Sequence, residues 1–376
     1  MITFRKDAVL DRITLYYLKV EVPREFSYGC WPRRYHCVLE LTSDGVCGYG
    51  EICIPETAER PFDPEEYNAM YRCWYGLAQA DAFRKCAEMR SFLPDKVLES
   101  VEMALVDLEG KQSGRSACEC LDLPSAAPTP GLYCILQHDP ERVRTAAEKF
   151  LAHYSPLTHV KLKLFGDAEH DVRLIRTLRD VVGPSCYVAG DANDGYAGSP
   201  AELEAVAKRL ADAGLNGWED PARMSWAQWR DLQTSIRGKL DLIPDVPMRP
   251  AYAAVDTVRP VPGMICNLHP DCMGSVVSAV ELGKRLKGSR IPVMIGDDSL
   301  VAAGCPAWQQ IACGLGAVWV EALEKPEEFG DFADCVLESP MRRNASGKYE
   351  MTALPGFGLA IDRPRLKRIS CHCTEL

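Results

Sequence analysis

The sequence predicts an α/β protein in which a (β/α) barrel follows an α+β region. Three observations indicate this fold. The first part of the chain has strand-like and then helix-like segments, whereas strands and helices alternate from about residue 130. The chain of 376 residues is long enough for a barrel and a second domain. Polar residues also recur at the ends of successive predicted strands, one βα unit apart.

The first region combines strands with a helical segment. Residues 10–22 and 35–42 are rich in Leu, Ile, Val and Tyr and predict strands, and Gly45, Gly48 and Gly50 predict a turn after them. The polar and aromatic segment 23–35 predicts a loop. Residues 64–123 predict helices, because apolar residues recur there at helical spacing.

Repeated βα units follow. THVKLKLFG predicts a strand that precedes a helix over roughly 168–180, and SCYVAGDAN predicts the next strand. A helix opens at Ser199, because proline follows this N-cap residue and Glu202 stands three residues on. Further strands end in GWEDP, LDLIPDVP, GMICNLH and IPVMIGDDS, and residues 274–286 predict another helix. Such repetition indicates a parallel sheet that closes into a barrel.

Composition excludes several functional classes. The net charge of −10 leaves no basic stripe for nucleic acid or an anionic membrane. The sequence contains no run of about twenty apolar residues, so we do not expect a membrane span. The N-terminal residues do not resemble a signal peptide, so we expect the seventeen cysteines to be reduced and the protein to be cytoplasmic. The pairs Cys118/Cys120 and Cys371/Cys373 lack the spacing of a zinc site.

Two lysines on one predicted strand are the first catalytic candidates. The strand 158–164 alternates apolar and polar residues, so Lys161 and Lys163 project from the same side. Two ammonium groups held close together destabilise each other's charged form, and the pKa of one should fall toward neutrality. A solvated strand edge is the alternative for an isolated K-x-K pattern.

Three acids stand in register with these lysines. Asp191 follows Lys163 by 28 residues, Glu219 follows after another 28, and Asp245 after 26 more. Each ends a predicted strand, and strand ends converge at one mouth of a parallel barrel. Three carboxylates form an oxygen-ligand set suited to Mg²⁺, with Mn²⁺ as the alternative. Helix N-capping is the ordinary explanation for any single one of these acids.

Five segments resemble a known family. The segment VEMALVDLEGKQSGRSACECLDL (101–123) is similar to an A-x-x-D-L-x-G-K segment, and GVCGYGE (45–51) resembles a G-x-G-E turn. HVKLKLFGD (159–167) is similar to a K-x-K strand. GDAND (190–194) resembles a D-x-N ligand strand, and WEDP (218–221) resembles an E-x-P ligand strand. The chain thus resembles a divergent member of the enolase superfamily, on the mandelate racemase/muconate lactonizing enzyme side. The resemblance implies a modified (β/α)7β TIM-like barrel over 126–354. It also implies an α+β capping domain over 1–125 that 355–376 completes.

The resemblance also implies roles for individual residues. Asp191, Glu219 and Asp245 would hold Mg²⁺, and Lys163 would be the general base whose pKa Lys161 depresses. The metal and Lys161 would stabilise the enediolate that forms when the proton next to a substrate carboxylate leaves. Residues 23–35 and 51–60 would be cap loops over a small-molecule carboxylate. The candidate substrate-binding residues are Arg24, Tyr28, Trp31, Arg33 and Asn193.

The sequence departs from the family pattern at three strands. Val246 replaces the acid expected after Asp245, and Asp241 is a competing third ligand. Asn267 stands where relatives place a second lysine, and it cannot accept a proton at useful pH; His269 and Asp271 follow it in a predicted loop. The seventh strand ends with Asp297 and Asp298 and has no histidine; Asp298 is the candidate acid.

These departures favour one-base chemistry. Racemisation needs an acid or base on each face of the carbanion, whereas elimination or cycloisomerisation needs only Lys163 and an aided leaving group. We therefore expect a lyase, dehydratase or cycloisomerase. A racemase or epimerase with a non-lysine second group is the first alternative, and a non-catalytic carboxylate-binding barrel is the second. A homo-oligomer is expected, because closed symmetric assemblies are common for such barrels.

Overall fold

An antiparallel sheet packed against helices forms the first part of the chain, and a parallel eight-stranded barrel forms the second. The computed structural model describes residues 2–26, 29–123, 127–296, 300–321 and 332–376. Within these ranges, no helix has both the length and the apolar character needed to cross a membrane. The seventeen cysteines are all free, and most of them are buried.

Five strands open the chain: β1 (Arg12–Val20), β2 (Arg24–Phe26), β3 (Gly29–Trp31), β4 (Arg33–Ser43) and β5 (Val46–Glu56). β1, β4 and β5 pair antiparallel in that order, with Leu15 opposite Leu39 and Leu39 opposite Gly50. One face of this sheet carries Leu15, Leu39 and Ile52 into the main hydrophobic core. Burying such apolar side chains stabilises the fold by about 2 kcal/mol each.

Two predicted loops are partly strands. Segment 23–35 contains the hairpin β2–β3, in which Arg24 lies opposite Trp31 and the rings of Phe26 and Trp31 are 4.7 Å apart. Segment 51–60 is strand as far as Glu56, because β5 pairs with β4 along its whole length. Strands of three residues are too short to show a period in the sequence, and pairing partners decide them.

Four helices follow: α1 (Pro64–Tyr71), α2 (Gln79–Glu88), α3 (Asp95–Ser113) and α4 (Ala117–Cys120). α3 lies directly on β5. A Cβ atom at Gly48 would stand 2.1 Å from the carbonyl oxygen of Ala104, and one at Gly50 would stand 2.1 Å from that of Ser100. Only Gly45 lies in the predicted turn, whereas Gly48 and Gly50 lie inside β5 where the helix backbone leaves no room for a side chain.

The barrel confirms the predicted fold class. Its eight parallel strands are β6 (Thr129–Ile135), β7 (His159–Lys163), β8 (Tyr187–Asp191), β9 (Gly217–Glu219), β10 (Asp241–Ile243), β11 (Cys266–Leu268), β12 (Val293–Ile295) and β13 (Val320–Glu321). They pair in the order β10-β9-β8-β7-β6-β13-β12-β11, and a single bridge between Leu242 and Met264 joins the two ends. The barrel is therefore nearly closed, with a separate antiparallel sheet beside it.

Seven helices connect the barrel strands: α5 (Pro140–Tyr154), α6 (Ala168–Val182), α7 (Pro200–Asp212), α8 (Trp226–Ser235), α9 (Ala251–Thr257), α10 (Val276–Gly288) and α11 (Gly304–Leu315). The predicted start of α7 is confirmed, since the Ser199 side chain accepts from the Glu202 amide and Glu202 accepts from the Ser199 amide. The helices predicted over 168–180 and 274–286 correspond to α6 and α10.

The last described segment returns to the first sheet. It contains β14 (Val336–Glu338), β15 (Met341–Arg343), β16 (Lys348–Met351), β17 (Ala360–Ile361), α12 (Arg363–Ile369) and β18 (His372–Glu375). β16 pairs with the barrel strand β6, and β18 pairs with β1. The C-terminal segment therefore touches both sheets.

Two buried acids of the resemblance motifs bind the first region to later parts of the chain. Glu51, the acid of GVCGYGE, accepts hydrogen bonds from the amides of Val301, Ala302 and Gly304 over 2.8–2.9 Å. Asp107 lies in the A-x-x-D-L-x-G-K segment and accepts from the Phe357 amide over 2.7 Å. Both acids are almost fully buried. Glu51 therefore binds the first region to residues 301–304 next to α11, and Asp107 binds it to the segment after β16.

Glu99 and Glu102 of α3 make the same kind of contact. Glu99 accepts from the amides of residues 271, 273 and 274, in the loop after β11. Glu102 accepts from the hydroxyl of Ser275 over 2.7 Å and from the amide of Val277 over 3.2 Å. Burial raises the pKa of Glu99 to about 8 and that of Glu102 to about 7.

Candidate active site

Two lysines of β7 project into the barrel mouth. Lys161 and Lys163 lie on the same side of the strand, as the alternation predicts, and each amine lies within 4 Å of Asp191. Lys161 is 2% exposed and Lys163 is 8% exposed. A solvated strand edge is therefore ruled out for both, and Lys163 is the one nearer to open space.

The ends of neighbouring strands bring acids to the same level. Lys163, Asp191 and Glu219 are the last residues of β7, β8 and β9, and they are paired neighbours across the three strands. The Lys163 amine lies 2.5 Å from an oxygen of Asp191, and the Lys161 amine lies 3.4 Å from one of Glu219. Asp245 follows β10 by two residues and is also buried. The equal spacing in the sequence therefore corresponds to a shared position at the barrel mouth.

Glu321 is a site residue that the sequence reasoning missed. It ends β13 and lies 2.7 Å from the Lys161 amine, closer than either of the other two acids around that amine. The signal was present, because the apolar run VWV is terminated by Glu321 just as other barrel strands are terminated by acids. The last strand thus contributes a fourth acid to the site.

Asn193 and Phe26 complete the surroundings of the Lys163 amine. The side-chain oxygen of Asn193 accepts a hydrogen bond from the amine over 3.0 Å, and the ring centre of Phe26 lies 5.3 Å away. Asn193 has a φ of +45°, an uncommon backbone conformation that asparagine tolerates better than most residues. The loop after β8 therefore directs a neutral acceptor at the candidate base.

The expected low pKa of Lys163 is wrong for this arrangement of charges. Burial and the neighbouring Lys161 both lower the pKa of Lys163, as the sequence argument requires. The negative charges of Asp191, Cys134 and Glu219 together outweigh them and raise that pKa above its ordinary value. The pKa of Lys161 is also raised well above its ordinary value, because the pull of Glu219, Glu321 and Asp191 exceeds the effect of burial.

The acids respond to the same charges. Burial and the neighbouring Asp191 raise the pKa of Glu219 to about 8. Burial would also raise the pKa of Asp191, but Lys163 and Lys161 hold it down at about 2. Asp191 and Glu219 repel each other, and the two lysines compensate the charge of Asp191 more fully than that of Glu219.

The third predicted ligand has a different environment. Both oxygens of Asp245 are bound by the guanidinium of Arg249, with Nε 2.8 Å from Oδ1 and Nη2 against Oδ2. Nε2 of His269 lies 3.9 Å from the same carboxylate. Burial alone would raise the pKa of Asp245, but Arg249 and His269 lower it. Asp220 supports this segment, because its carboxylate accepts hydrogen bonds from the backbone amides of Asp245 and Val246 over 3.0 Å each.

The competing third ligand does not reach the mouth. Asp241 is the first residue of β10 and accepts a hydrogen bond from the hydroxyl of Tyr187 over 3.0 Å. Tyr187 is itself the first residue of β8. Because the site is formed by the last residues of the strands, Asp241 lies at the opposite end of the barrel.

Asn267 occupies β11, across the barrel from β7. It is fully buried, and its side-chain nitrogen donates to Glu219 over 2.8 Å. His269 follows the strand and lines the mouth, whereas Asp271 turns away to the amide of Cys53 and the amine of Lys96. Of the two loop residues considered as substitutes for the missing lysine, only His269 is at the site.

A cavity of about 280 Å³ opens above these residues. Cationic side chains dominate its wall: Arg24, Lys161, Lys163, Arg223 and Arg249. Of the other predicted substrate-binding residues, Asn193 lines the cavity, but Trp31 packs on Phe26 and Arg33 lies 3.8 Å from Glu56. Tyr28, Asp297 and Asp298 fall outside the described residues.

The donor chemistry of this site fits a divalent cation. Asp191, Glu219 and Asp245 offer buried carboxylate oxygens, the ligands that Mg²⁺ and Mn²⁺ prefer. Lysine and arginine side chains compensate all three acids where they now stand. As they are placed, no three His, Cys, Asp or Glu side chains in the described part of the chain are grouped to hold a metal ion. A bound cation would therefore have to displace protein cations.

Comparisons with known proteins agree with this architecture. Residues 141–365 match the family described as enolase C-terminal domain-like. A D-galactarolactone cycloisomerase of Agrobacterium fabrum is 23% identical, with 93% of this chain and 94% of that protein aligned.

Solved structures give the same picture of the fold. The muconate lactonizing enzyme of Pseudomonas fluorescens, complexed with muconolactone, superposes with a TM-score of 0.79 at 17% identity, over 96% of this chain and 99% of that one. A dipeptide epimerase of Cytophaga hutchinsonii, complexed with Mg and D-Ala-L-Val, gives 0.78 at 17% identity, over 98% and 99%.

Proposed function

The chain belongs to the enolase superfamily, in the mandelate racemase/muconate lactonizing enzyme family, and on this premise we propose that it removes the proton next to a substrate carboxylate with Lys163 as base. One observation carries the proposal. Lys161 and Lys163 are buried side by side at the barrel mouth, at the level of the strand-end acids. Burying two amines is costly, and a barrel that only binds a carboxylate does not need both.

The two lysines have different tasks in this proposal. Lys163 borders the cavity and accepts the proton, and Asn193 holds its amine in position. Lys161 lies deeper, and its charge stabilises the negative charge that develops on the substrate carboxylate. Mg²⁺, or Mn²⁺, held by Asp191, Glu219 and Asp245 would compensate the carboxylate charge that now raises the pKa of Lys163 and would attract the substrate carboxylate.

The cavity supports an anionic substrate. Its wall carries three arginines besides the lysines, and Arg24 reaches it from the β2–β3 hairpin of the first region. We propose that residues 1–125 and 355–376 form a capping domain that selects the substrate over the 126–354 barrel. The pairing of β18 with β1 supports this division.

Asn267 favours one-base chemistry. An amide cannot accept a proton at useful pH, and the nitrogen of Asn267 is already committed to Glu219. We therefore propose a lyase, dehydratase or cycloisomerase reaction, which the cycloisomerase relative supports. His269 lines the cavity and favours one alternative, a racemase or epimerase with a non-lysine second group.

Hydrogen–deuterium exchange tests the proposal. The protein is incubated in D₂O with Mg²⁺ and a library of acid sugars, dipeptides, N-acyl amino acids and succinylbenzoate-like acids, and exchange next to the carboxylate is followed by NMR. We expect exchange that is lost in Lys163→Ala and retained in Asn267→Ala. Loss of exchange in His269→Gln as well as in Lys163→Ala, each tested as a single variant, would favour the two-base alternative. No exchange with any acid, together with no metal binding, would leave only a binding barrel.

A further inference from the structure

Arg249 sets the third predicted metal ligand apart from the other two. It binds both oxygens of Asp245 with a two-pronged guanidinium contact, and Asp245 is 2% exposed. Such paired contacts between arginine and a carboxylate are stronger than single ones and hold the carboxylate in one orientation. Asp245 is therefore already saturated by a cation of its own loop.

The other two acids are compensated in a different way. Asp191 and Glu219 face the amines of Lys163 and Lys161, the residues proposed to act on the substrate. Each amine contacts one oxygen of its carboxylate, and the other oxygen accepts from a neutral N–H group: the backbone amide of Asn193 for Asp191, and the side chain of Asn267 for Glu219. No cation therefore holds both oxygens of either acid, as Arg249 does for Asp245. Arginine keeps its charge at every physiological pH, so Asp245 is released only when the guanidinium is displaced.

Open space in the cavity lies beside the Arg249 side chain. Its side chain is one-quarter exposed and lines the cavity, and its third nitrogen contacts only the thiol sulfur of Cys272, over 3.3 Å, among the contacts that the structure gives for it. A guanidinium in this position can leave Asp245 for the cavity when a cation of higher charge takes its place.

We propose that Arg249 is an internal counter-cation that competes with the divalent metal for Asp245 and thereby weakens metal binding at this site. The inference rests on the proposed metal site formed with Asp191 and Glu219. It adds that the metal affinity is set by a residue of this chain that is not a ligand.

Mn²⁺ titration of the full-length protein, read from the electron paramagnetic resonance signal of the free ion, tests the proposal without measuring activity. Arg249→Gln should lower the Kd for Mn²⁺ at least about tenfold, because it frees both oxygens of Asp245. Arg223→Gln is the matched control. Arg223 lines the same cavity and lies 3.7 Å from Asp194, which is not a predicted ligand. This control should change the Kd less than about threefold.

Two further variants guard against trivial outcomes. Arg249→Lys keeps the charge but loses the two-pronged contact, and it should give an intermediate Kd. Adding Asp245→Asn to Arg249→Gln should abolish the gain. Thermal melts establish whether each variant is folded. If Arg249→Gln does not fold, the comparison of Arg249→Lys with wild type tests the proposal instead.

The outcomes separate the two proposals. An unchanged or weaker Mn²⁺ affinity in Arg249→Gln, or an equal gain in Arg223→Gln, overturns the competition. If wild-type binding is then still lost in Asp191→Asn, the proposed metal site stands. If no folded variant binds Mn²⁺, both the competition and the metal site are wrong.

Discussion

The amine of Lys161 lies 2.7 Å from the carboxylate of Glu321, so a contact across the barrel mouth joins β7 to β13. Strand β6 lies between these two strands in the sheet. This ion pair links the proposed charge-stabilising lysine to the last strand of the barrel, and it is almost fully buried.

Glu321→Gln should reduce proton exchange by about tenfold to a hundredfold. The substitution removes the nearest counter-charge of Lys161 and lets its amine shift toward Glu219 and Asp191. Exchange rates with the best acid from the library measure the effect. Glu338→Gln, at an exposed acid of β14, is the control and should behave like wild type. A Glu321→Gln protein with the wild-type rate would show that the ion pair between Lys161 and Glu321 does not contribute to the reaction.

Lys163→Arg should abolish proton exchange, by about a thousandfold or more, while the protein stays folded. Arginine preserves the positive charge beside Asp191, but it cannot lose its proton and therefore cannot act as a base. NMR exchange and a thermal melt together make the measurement. Substantial residual exchange would mean that another group, such as His269 at the cavity wall, takes the proton.

Gly50→Ala should destabilise the protein by more than about 3 kcal/mol. Its new Cβ would lie 2.1 Å from the carbonyl oxygen of Ser100, so α3 would have to move off β5. Gly288→Ala is the matched control, because a Cβ at the end of α10 meets nothing within 4 Å. Urea unfolding of both variants gives the comparison, and equal stabilities would contradict the close contact.

The free energy of unfolding should fall as the pH rises from about 4.5 to about 7, partly because of Glu102. Burial raises the folded-state pKa of Glu102 to about 7, whereas the unfolded chain loses this proton near its ordinary value of 4.5. The stabilising contribution is therefore complete below the lower value and is lost as the pH reaches the higher one. The shift corresponds to no more than about 3 kcal/mol.

Glu102→Gln isolates this contribution. A glutamine carbonyl can still accept from Ser275 and Val277, but it does not titrate. Urea unfolding at pH 5 and pH 8 should show a smaller pH dependence in this variant than in wild type. The exposed acid exchange Glu338→Gln serves as the control, and an identical pH dependence in all three proteins would contradict the assignment.

The sequence by itself determined the barrel and the level of the main site residues. The period of two in β7 placed Lys161 and Lys163 on one side, and the constant length of a βα unit placed Lys163, Asp191 and Glu219 at neighbouring strand ends. These are properties of local geometry, and the chain encodes them directly. The prediction that Gly48 and Gly50 belong to a turn was wrong. Glycine is needed at these two positions because the backbone of α3 leaves no room for a side chain.

Only the tertiary structure decided which charges meet. Glu321 reaches Lys161 across an intervening strand, and Arg249 reaches Asp245 four residues earlier because the turn of 3-10 helix Val246–Met248 lies between them. A helical turn of three residues is too short to be recognised from the sequence pattern. The pKa of Lys163 likewise depends on the 2.5 Å contact with Asp191, a distance that no spacing along the chain specifies. Coulomb interactions vary with distances through space and with burial, and folding sets both.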